Sequence, residues 1–265
     1  MNATKRTPLM TCLTLLAATA MMLGADEADE RLRLNVGGVA GSDGTGVIKV
    51  TVTFNGKKRK GKPIRLSADP FCAKAHTEKV RSEKYVFGEG DALQNVLVYI
   101  SSDIKGDAPA RPHRIDQHGC IYSPHVSAIV AGQKVHIQNS DKTLHNVKYS
   151  SKENGSFNQG MPKGSSPLEK TFNKTEFATS FKCNVHTWMS AYLHVMPHPF
   201  FAVTQNAGTV EITGVPAGDH KVTVWHEFDK FKPDAEAKPV QVEAGKTAEL
   251  VFTYSPPKKT PKKKG

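Results

Sequence analysis

The sequence predicts an all-β protein, a sandwich or barrel, and three observations carry that reading. Short runs of alternating apolar and polar residues recur along the chain; Gly, Pro, Asn and Asp separate them; and amphipathic helical periodicity is scarce. In order, the predicted strands are "GVIKVTVTF" (46–54), "NVLVYI" (95–100), "QKVHIQN" (133–139), "HNVKYS" (145–150), "FATSFKC" (177–183) and "AYLHVM" (191–196). They continue with "FFAVT" (200–204), "GTVEITGV" (208–215), "HKVTVWHEF" (220–228), "KPVQVEAG" (238–245) and "TAELVFTY" (247–254). Each run puts alternate side chains on one face, as a half-buried strand requires. The stretch 68–90 is less regular, and a short helix is predicted around "CAKAHTEKV".

The two ends of the chain differ from this middle. A basic start at Lys5 and Arg6, an apolar run from Leu9 to Leu23 and small residues before an acidic patch together read as an export signal over 1–25. Cleavage is expected near Ala25, with the Ala18 to Ala20 region as the alternative, and the protein is expected to be periplasmic or secreted. No later segment approaches the roughly 20 apolar residues of a membrane span. Residues 26–43 read as a linker. The tail, 255–265, is rich in Pro and Lys and predicts disorder. Its five lysines, with Lys5 and Arg6, hold most of the formal charge of +11, so the folded part is only mildly basic. The tail is either a solubilising end or an electrostatic contact with an anionic envelope surface or acidic partner. Nucleic acid is not an expected partner, because no strand face is both basic and studded with aromatics.

Between the ends, the two prolines of "MPHPF" (196–200) divide a first β domain, 44–197, from a smaller group of strands, 198–254. The hairpin-rich layout of that smaller group, with "VPAGDH" between strands, resembles carboxypeptidase regulatory-like and transthyretin-like sandwiches. The resemblance implies a structural or docking module. The alternative is that these strands extend the first sandwich.

Cysteine arithmetic points to chemistry. Cys12 lies in the leader, which leaves Cys72, Cys120 and Cys183, an odd number. In an oxidising compartment one disulfide plus one metal-held thiolate is the economical use of three; a free buried thiol or an intermolecular bridge is the alternative. "FKCNVHTWM" spaces Cys183, His186 and Met189 as C-x2-H-x2-M, and "NSDKTLHNVKYS" places His145 at the start of a strand 38 residues upstream of Cys183. Thiolate and thioether suit Cu(I), and imidazole suits Cu(II), so two His and one Cys with a weak axial Met serve both oxidation states. A loop between neighbouring strands would supply Cys183, His186 and Met189, while His145 from another strand would pin the site. Structural zinc prefers four N or S ligands and rarely a thioether, so Met189 favours copper. A core methionine, with water or a carbonyl in the axial place, is the alternative for Met189.

With those residues in view, "LHNVKY" followed by "FKCNVHTWM" resembles the cupredoxins, the small blue copper proteins, and the short ligand loop is most like that of amicyanin. The resemblance implies a Greek-key β-sandwich or barrel for 44–197, ahead of the smaller sandwich. It implies one mononuclear type 1 copper held by His145, Cys183, His186 and Met189, with Asn146 tying the two ligand-bearing segments together. It further implies that the His186 ring edge reaches the surface through an apolar patch, for which Trp188, Pro162 and Met161 are the candidate rim, and that the partner is a redox protein such as a c-type cytochrome or a copper enzyme. The length of chain between Phe54 and Asn95 exceeds what a minimal cupredoxin needs.

A second cluster, "HRIDQHGCIYSPH", supplies His113, His118, Cys120 and His125. It could hold another metal, but a Cys72 to Cys120 disulfide stapling the irregular insert is the simpler reading. His76, His220 and His226 show no partner in the sequence. No His-x-His pair, nucleophile elbow, phosphate loop or dinucleotide fingerprint occurs, so electron transfer without bond chemistry, and not an enzyme, is expected. The alternative function is copper storage or delivery, or a structural envelope sandwich.

Overall fold

The structure is a computed structural model that describes residues 44–257. The leader, the linker and the lysines of the tail therefore lie outside the described residues. Within them the regular structure is almost all strand, with one five-residue helix, α1 (Pro70–Lys74), which overlaps only the start of the short helix expected over 72–80. None of the described helices is long and apolar enough to cross a membrane.

Four sheets form two sandwiches. The first pair of sheets contains β3 (His113–His118), β4 (Ile121–Ser123), β6 (Lys134–Asn139) and β9 (Leu168–Thr171) in the order β4-β3-β6-β9. Facing them are β5 (Val126–Val130), β7 (His145–Ser150), β8 (Phe157–Met161), β10 (Glu176–Lys182) and β11 (Ser190–Met196) in the order β5-β11-β10-β7-β8. Ile115, Tyr122, Val135, Ile137, Val147, Tyr149, Phe181 and Leu193 fill the space between.

The second sandwich draws on both ends of the described chain. One sheet orders β13 (Thr209–Pro216), β1 (Thr45–Phe54), β17 (Thr247–Ser255) and β15 (Lys232–Pro233) as β13-β1-β17-β15. The other orders β12 (Phe201–Val203), β2 (Leu97–Ile100), β14 (Gly218–Trp225) and β16 (Ala237–Val242) as β12-β2-β14-β16. A linear division at residue 198 assigns β1 and β2 to the first domain, whereas the pairing assigns both to the C-terminal strands. The cause is β1's strict alternation: Ile48, Val50, Val52 and Phe54 face inward, and β17 beside it adds Phe252 and Tyr254 to the same core. Residues 101–200 thus leave this sandwich after β2 and return to it at β12. A small cluster of Leu97, Ala128, Val130, Met196 and Phe201 joins the two sandwiches.

A fragment of residues 198–257 is therefore expected to remain unfolded, because it lacks the central strand of one sheet and the strand between β12 and β14 in the other. Circular dichroism and amide dispersion read this directly; a cooperative, well-dispersed fragment would show that β1 and β2 are dispensable.

Two local features position the site. β3 and β4 are joined by the two-residue turn Gly119-Cys120, with φ of 63° and 58°. Positive φ at both central residues is the hairpin geometry that matches strand twist, and Cys120 adopts it without being glycine. The second feature is α1, capped by Asp69, whose Oδ1 accepts from the N–H of Phe71 (2.7 Å) and Cys72 (3.1 Å). A disulfide links Cys72 on α1 to Cys120 in the hairpin turn, with the Cα atoms 5.6 Å apart, as the cysteine arithmetic expected. His76 Nε2 donates to the Gly119 carbonyl at 2.6 Å, a second tie between the same segments.

Candidate metal centre

β7 and β10 are neighbours, with Lys148 opposite Lys182, so His145 at the start of β7 lies beside the end of β10, where Cys183 follows. The loop from Cys183 to Met189 then connects β10 to its other neighbour, β11. It closes on itself through Met189 N to His186 O (2.9 Å) and Cys183 N to Met189 O (3.3 Å). Tyr122, buried in the core, directs its hydroxyl at the carbonyls of Asn146 (3.1 Å) and Lys182 (3.2 Å), one beside His145 and one beside Cys183. Asn146 joins the same segments: its Oδ1 accepts from Asn184 N, and its N–H points at Cys183 Sγ.

One donor atom from each of His145, Cys183 and His186 lies within 4.8 Å of the others. The two Nδ1 atoms are 2.8 Å apart, and His186 Nδ1 is 3.9 Å from Cys183 Sγ. All three residues are buried, as is Met189, which belongs to the same core cluster as Cys183. The Cys183 sulfur receives backbone N–H groups from Asn146 (3.4 Å) and His186 (3.3 Å). Burial alone would raise the thiol's pKa; hydrogen bonding from His145 and from these N–H groups outweighs it and lowers the value. For His145, burial favours the neutral ring, yet the hydrogen bonds to Asp141 and Cys183 raise it to about 9. His186 moves the other way: burial and the neighbouring His145 charge lower it despite Asp69. Two buried imidazole nitrogens facing each other at hydrogen-bond distance hold a proton between them or a cation in its place. A thiolate beside them makes the donor set one that suits copper or zinc.

The surroundings differ from the expected surface-reaching histidine. His186 is only 2 % exposed. Its Nε2 lies 3.3 Å from Asp69 Oδ2 and 3.6 Å from Cys72 Sγ, so α1 and the disulfide cover the ring edge that was expected to face a partner. Of the expected rim, Met161 is a correction: it is 1 % exposed, and its sulfur accepts from Gln117 Nε2 at 3.3 Å. Pro162 is exposed. Trp188 is half-buried; its ring is 5.0 Å from that of His186, and its Nε1 donates to the Cys120 carbonyl at 3.0 Å. The exposed apolar side chains beside the site are instead Leu144 and Val185, each about half exposed and each preceding a ligand-type histidine.

The second cluster does not converge. His113 Nε2 pairs with Ser127 Oγ at 2.9 Å, His118 is exposed, and Cys120 is in the disulfide. His125 sits between Glu227 (3.3 Å) and Glu83 (3.7 Å), with Nδ1 donating to the Ser190 carbonyl. The histidines that showed no partner in the sequence have them in the fold: besides His76, His220 Nε2 donates to Pro216 O, and His226 Nδ1 accepts from Phe228 N. Two acidic residues at the centre escaped sequence reasoning. Asp141 Oδ2 lies 2.8 Å from His145 Nε2, and the same carboxylate accepts from Gly119 N and Cys120 N, both at 2.7 Å. Asp69 is its counterpart at His186. The available signals were an aspartate four residues before His145 and one three residues before the disulfide cysteine.

No protein-family model matches the sequence, and no curated protein matches it. Solved structures do, over part of the chain. A purple cupredoxin from Nitrosopumilus maritimus is 21% identical over 32% of this chain and 99% of its own, with a TM-score of 0.28. An oxidised amicyanin mutant is 19% identical over 37% of this chain and 98% of its own, with a TM-score of 0.30. The copper-containing nitrite reductase of Thermus scotoductus SA-01 is 19% identical over 37% of this chain and 25% of its own, also at 0.30. At those TM-scores the likeness carries no argument, and the donor atoms stand on their own geometry.

Proposed function

We propose that this chain is an exported protein that holds one mononuclear copper ion at His145, Cys183, His186 and Met189 and passes single electrons between redox partners. The observation that carries the reading is the convergence of two imidazole Nδ1 atoms on one buried cysteine sulfur already supplied with two backbone N–H groups. A copper ion there would take up and release one electron. The protein's part is to hold the donors still: Cys183 and His186 through the closed loop, His145 through β7, and both segments through Tyr122 and Asn146. Burial excludes water from the donors, so little solvent reorganises when the charge changes.

The leader-like segment and the Cys72–Cys120 disulfide support a place outside the reducing cytoplasm. With the His186 edge covered, a redox partner would dock against Leu144 and Val185, the exposed apolar residues nearest the ligands in sequence. The same cover argues against copper delivery, which needs an open path for ligand exchange.

Reversible one-electron voltammetry with copper retained through repeated cycles is the expected result. Rapid loss of copper to a soft chelator in each reduced half-cycle would instead favour storage or delivery. A protein that takes up zinc but gives no coloured copper(II) form would remove the electron-transfer reading.

The pH dependence of loading follows from His145. In the metal-free protein its pKa is raised to about 9, so below that pH the metal must displace a proton. Copper(II) affinity is expected to rise with pH up to about 9, by about tenfold per pH unit for each proton displaced. Calorimetry in buffers of different ionisation enthalpy counts the released protons; a flat affinity between pH 6 and pH 9 would contradict the shared-proton arrangement.

A further inference from the structure

The two ligand-type imidazoles are oriented alike by groups outside the strands that carry them. His145 turns Nδ1 toward the Cys183 side, and its Nε2 lies 2.8 Å from Asp141 Oδ2. His186 turns Nδ1 the same way, and its Nε2 lies 3.3 Å from Asp69 Oδ2. Neither carboxylate is a loose surface group. Asp141 is 3 % exposed and gripped by Gly119 N and Cys120 N. Asp69 is gripped by Phe71 N, Cys72 N and the Thr143 hydroxyl, the last at 2.7 Å to Oδ2. The disulfide joins these two turns, because Cys72 and Cys120 each donate a backbone N–H to one of the carboxylates. Thr143 lies between Asp141 and His145 in sequence and closes the arrangement by bonding to Asp69.

We propose that Asp69 and Asp141 are a matched pair of positioning residues which keep the proton on Nε2 of both imidazoles, direct both Nδ1 lone pairs at one ion, and lower that ion's reduction potential. The inference rests on the copper reading above for its redox consequence, though not for its geometry. A carboxylate at the far nitrogen fixes the tautomer and makes the ring a stronger donor. Two negative charges near the ion favour the divalent over the monovalent state, the more so for Asp141, whose side chain is 2 % exposed against 19 % for Asp69. Each carboxylate accepts two backbone N–H groups, which favour its ionised form.

The test uses Asp69→Asn, Asp141→Asn and the double variant in the full chain, with Glu169→Gln, an exposed carboxylate on β9, as the charge control. Asparagine keeps the shape and an acceptor oxygen while removing the charge. Each single variant is expected to lose 10- to 100-fold in copper(II) and zinc(II) affinity, with copper(I) affinity changed much less. Each tenfold difference between the two copper states raises the potential by about 59 mV. In proton spectra of the copper(I)-loaded or zinc-loaded protein, both Nε2–H resonances are expected in the wild type, downfield and slow to exchange. Each variant should lose that signature at its own histidine only. Thr143→Val, which removes one tie to Asp69 and leaves the carboxylate in place, is expected to move the His186 resonance and the potential in the same direction by less, and it keeps the test open if an aspartate variant does not fold. Equal loss of copper(I) and copper(II) affinity, or a potential shift no larger than that of Glu169→Gln, would overturn the proposal. If the protein forms no coloured copper(II) state, the copper reading fails, while the zinc affinities and Nε2–H resonances still decide the positioning roles.

Discussion

Replacing Cys183 by serine is expected to abolish the intense visible absorption of the copper(II)-loaded protein entirely, leaving at most the weak bands of an imidazole-oxygen site. The thiolate is the soft donor that gives such a centre its colour and its access to copper(I). Cys183 is 2 % exposed and its sulfur takes two backbone N–H bonds. A serine hydroxyl can accept from the same N–H groups, so the fold should survive, whereas no hydroxyl ionises as this thiol does. Unchanged circular dichroism alongside the lost band would assign the effect to the metal and not to misfolding. Should the colour persist in the variant, the sulfur of Cys183 is not a ligand, and the assignment of the site falls with it.

Removing the disulfide with Cys72→Ser and Cys120→Ser together is the second large effect. A bridge closing 48 residues stabilises by about 4 kcal/mol in the chain-entropy model. For a domain of this size that corresponds to a fall in Tm of about 8–16 °C. The loss goes beyond entropy of the unfolded chain, because the bridge holds α1 over His186. Without it the residues around α1 are held over the site by the ties of His76 to Gly119 and of Asp69 to Thr143 and His186, and by the packing of Leu66 and Phe71. The metal should therefore pass to a chelator markedly faster in the double variant. A Tm within about 3 °C of the parent, together with an unaltered rate of metal loss, would show that this segment neither staples the fold nor covers the site.

Much of the fold could be read directly from local pattern. β1, β14 and β17 show period-two alternation that survives any tertiary arrangement, because a one-residue slip would turn Ile48, Val50 and Val52 outward. A short helix was expected around 72–80, and the structure has it at Pro70–Lys74, where the Asp69 cap and Pro70 start it earlier. What the pattern could not show was which strands pair. β1 carries the same signal whether it joins the strands next to it or those two hundred residues later, and only the complementary row on β17 chose the second.

The site divides in the same way. Donor type and spacing along the chain determined His145, Cys183, His186 and Met189 as candidates and made a Cys72–Cys120 bridge the simpler of two readings, because those are properties of residue chemistry and count; the fold decided for the bridge. Tertiary structure alone decided that His186 is covered, that Met161 is buried, and that Asp69 and Asp141 stand behind the two imidazoles. A hydrogen bond between residues 117 positions apart, such as His186 to Asp69, leaves no periodic trace in a sequence. It exists because a disulfide and a two-residue turn carry one carboxylate to each ring, and such convergence is a property of packed segments and not of any one of them.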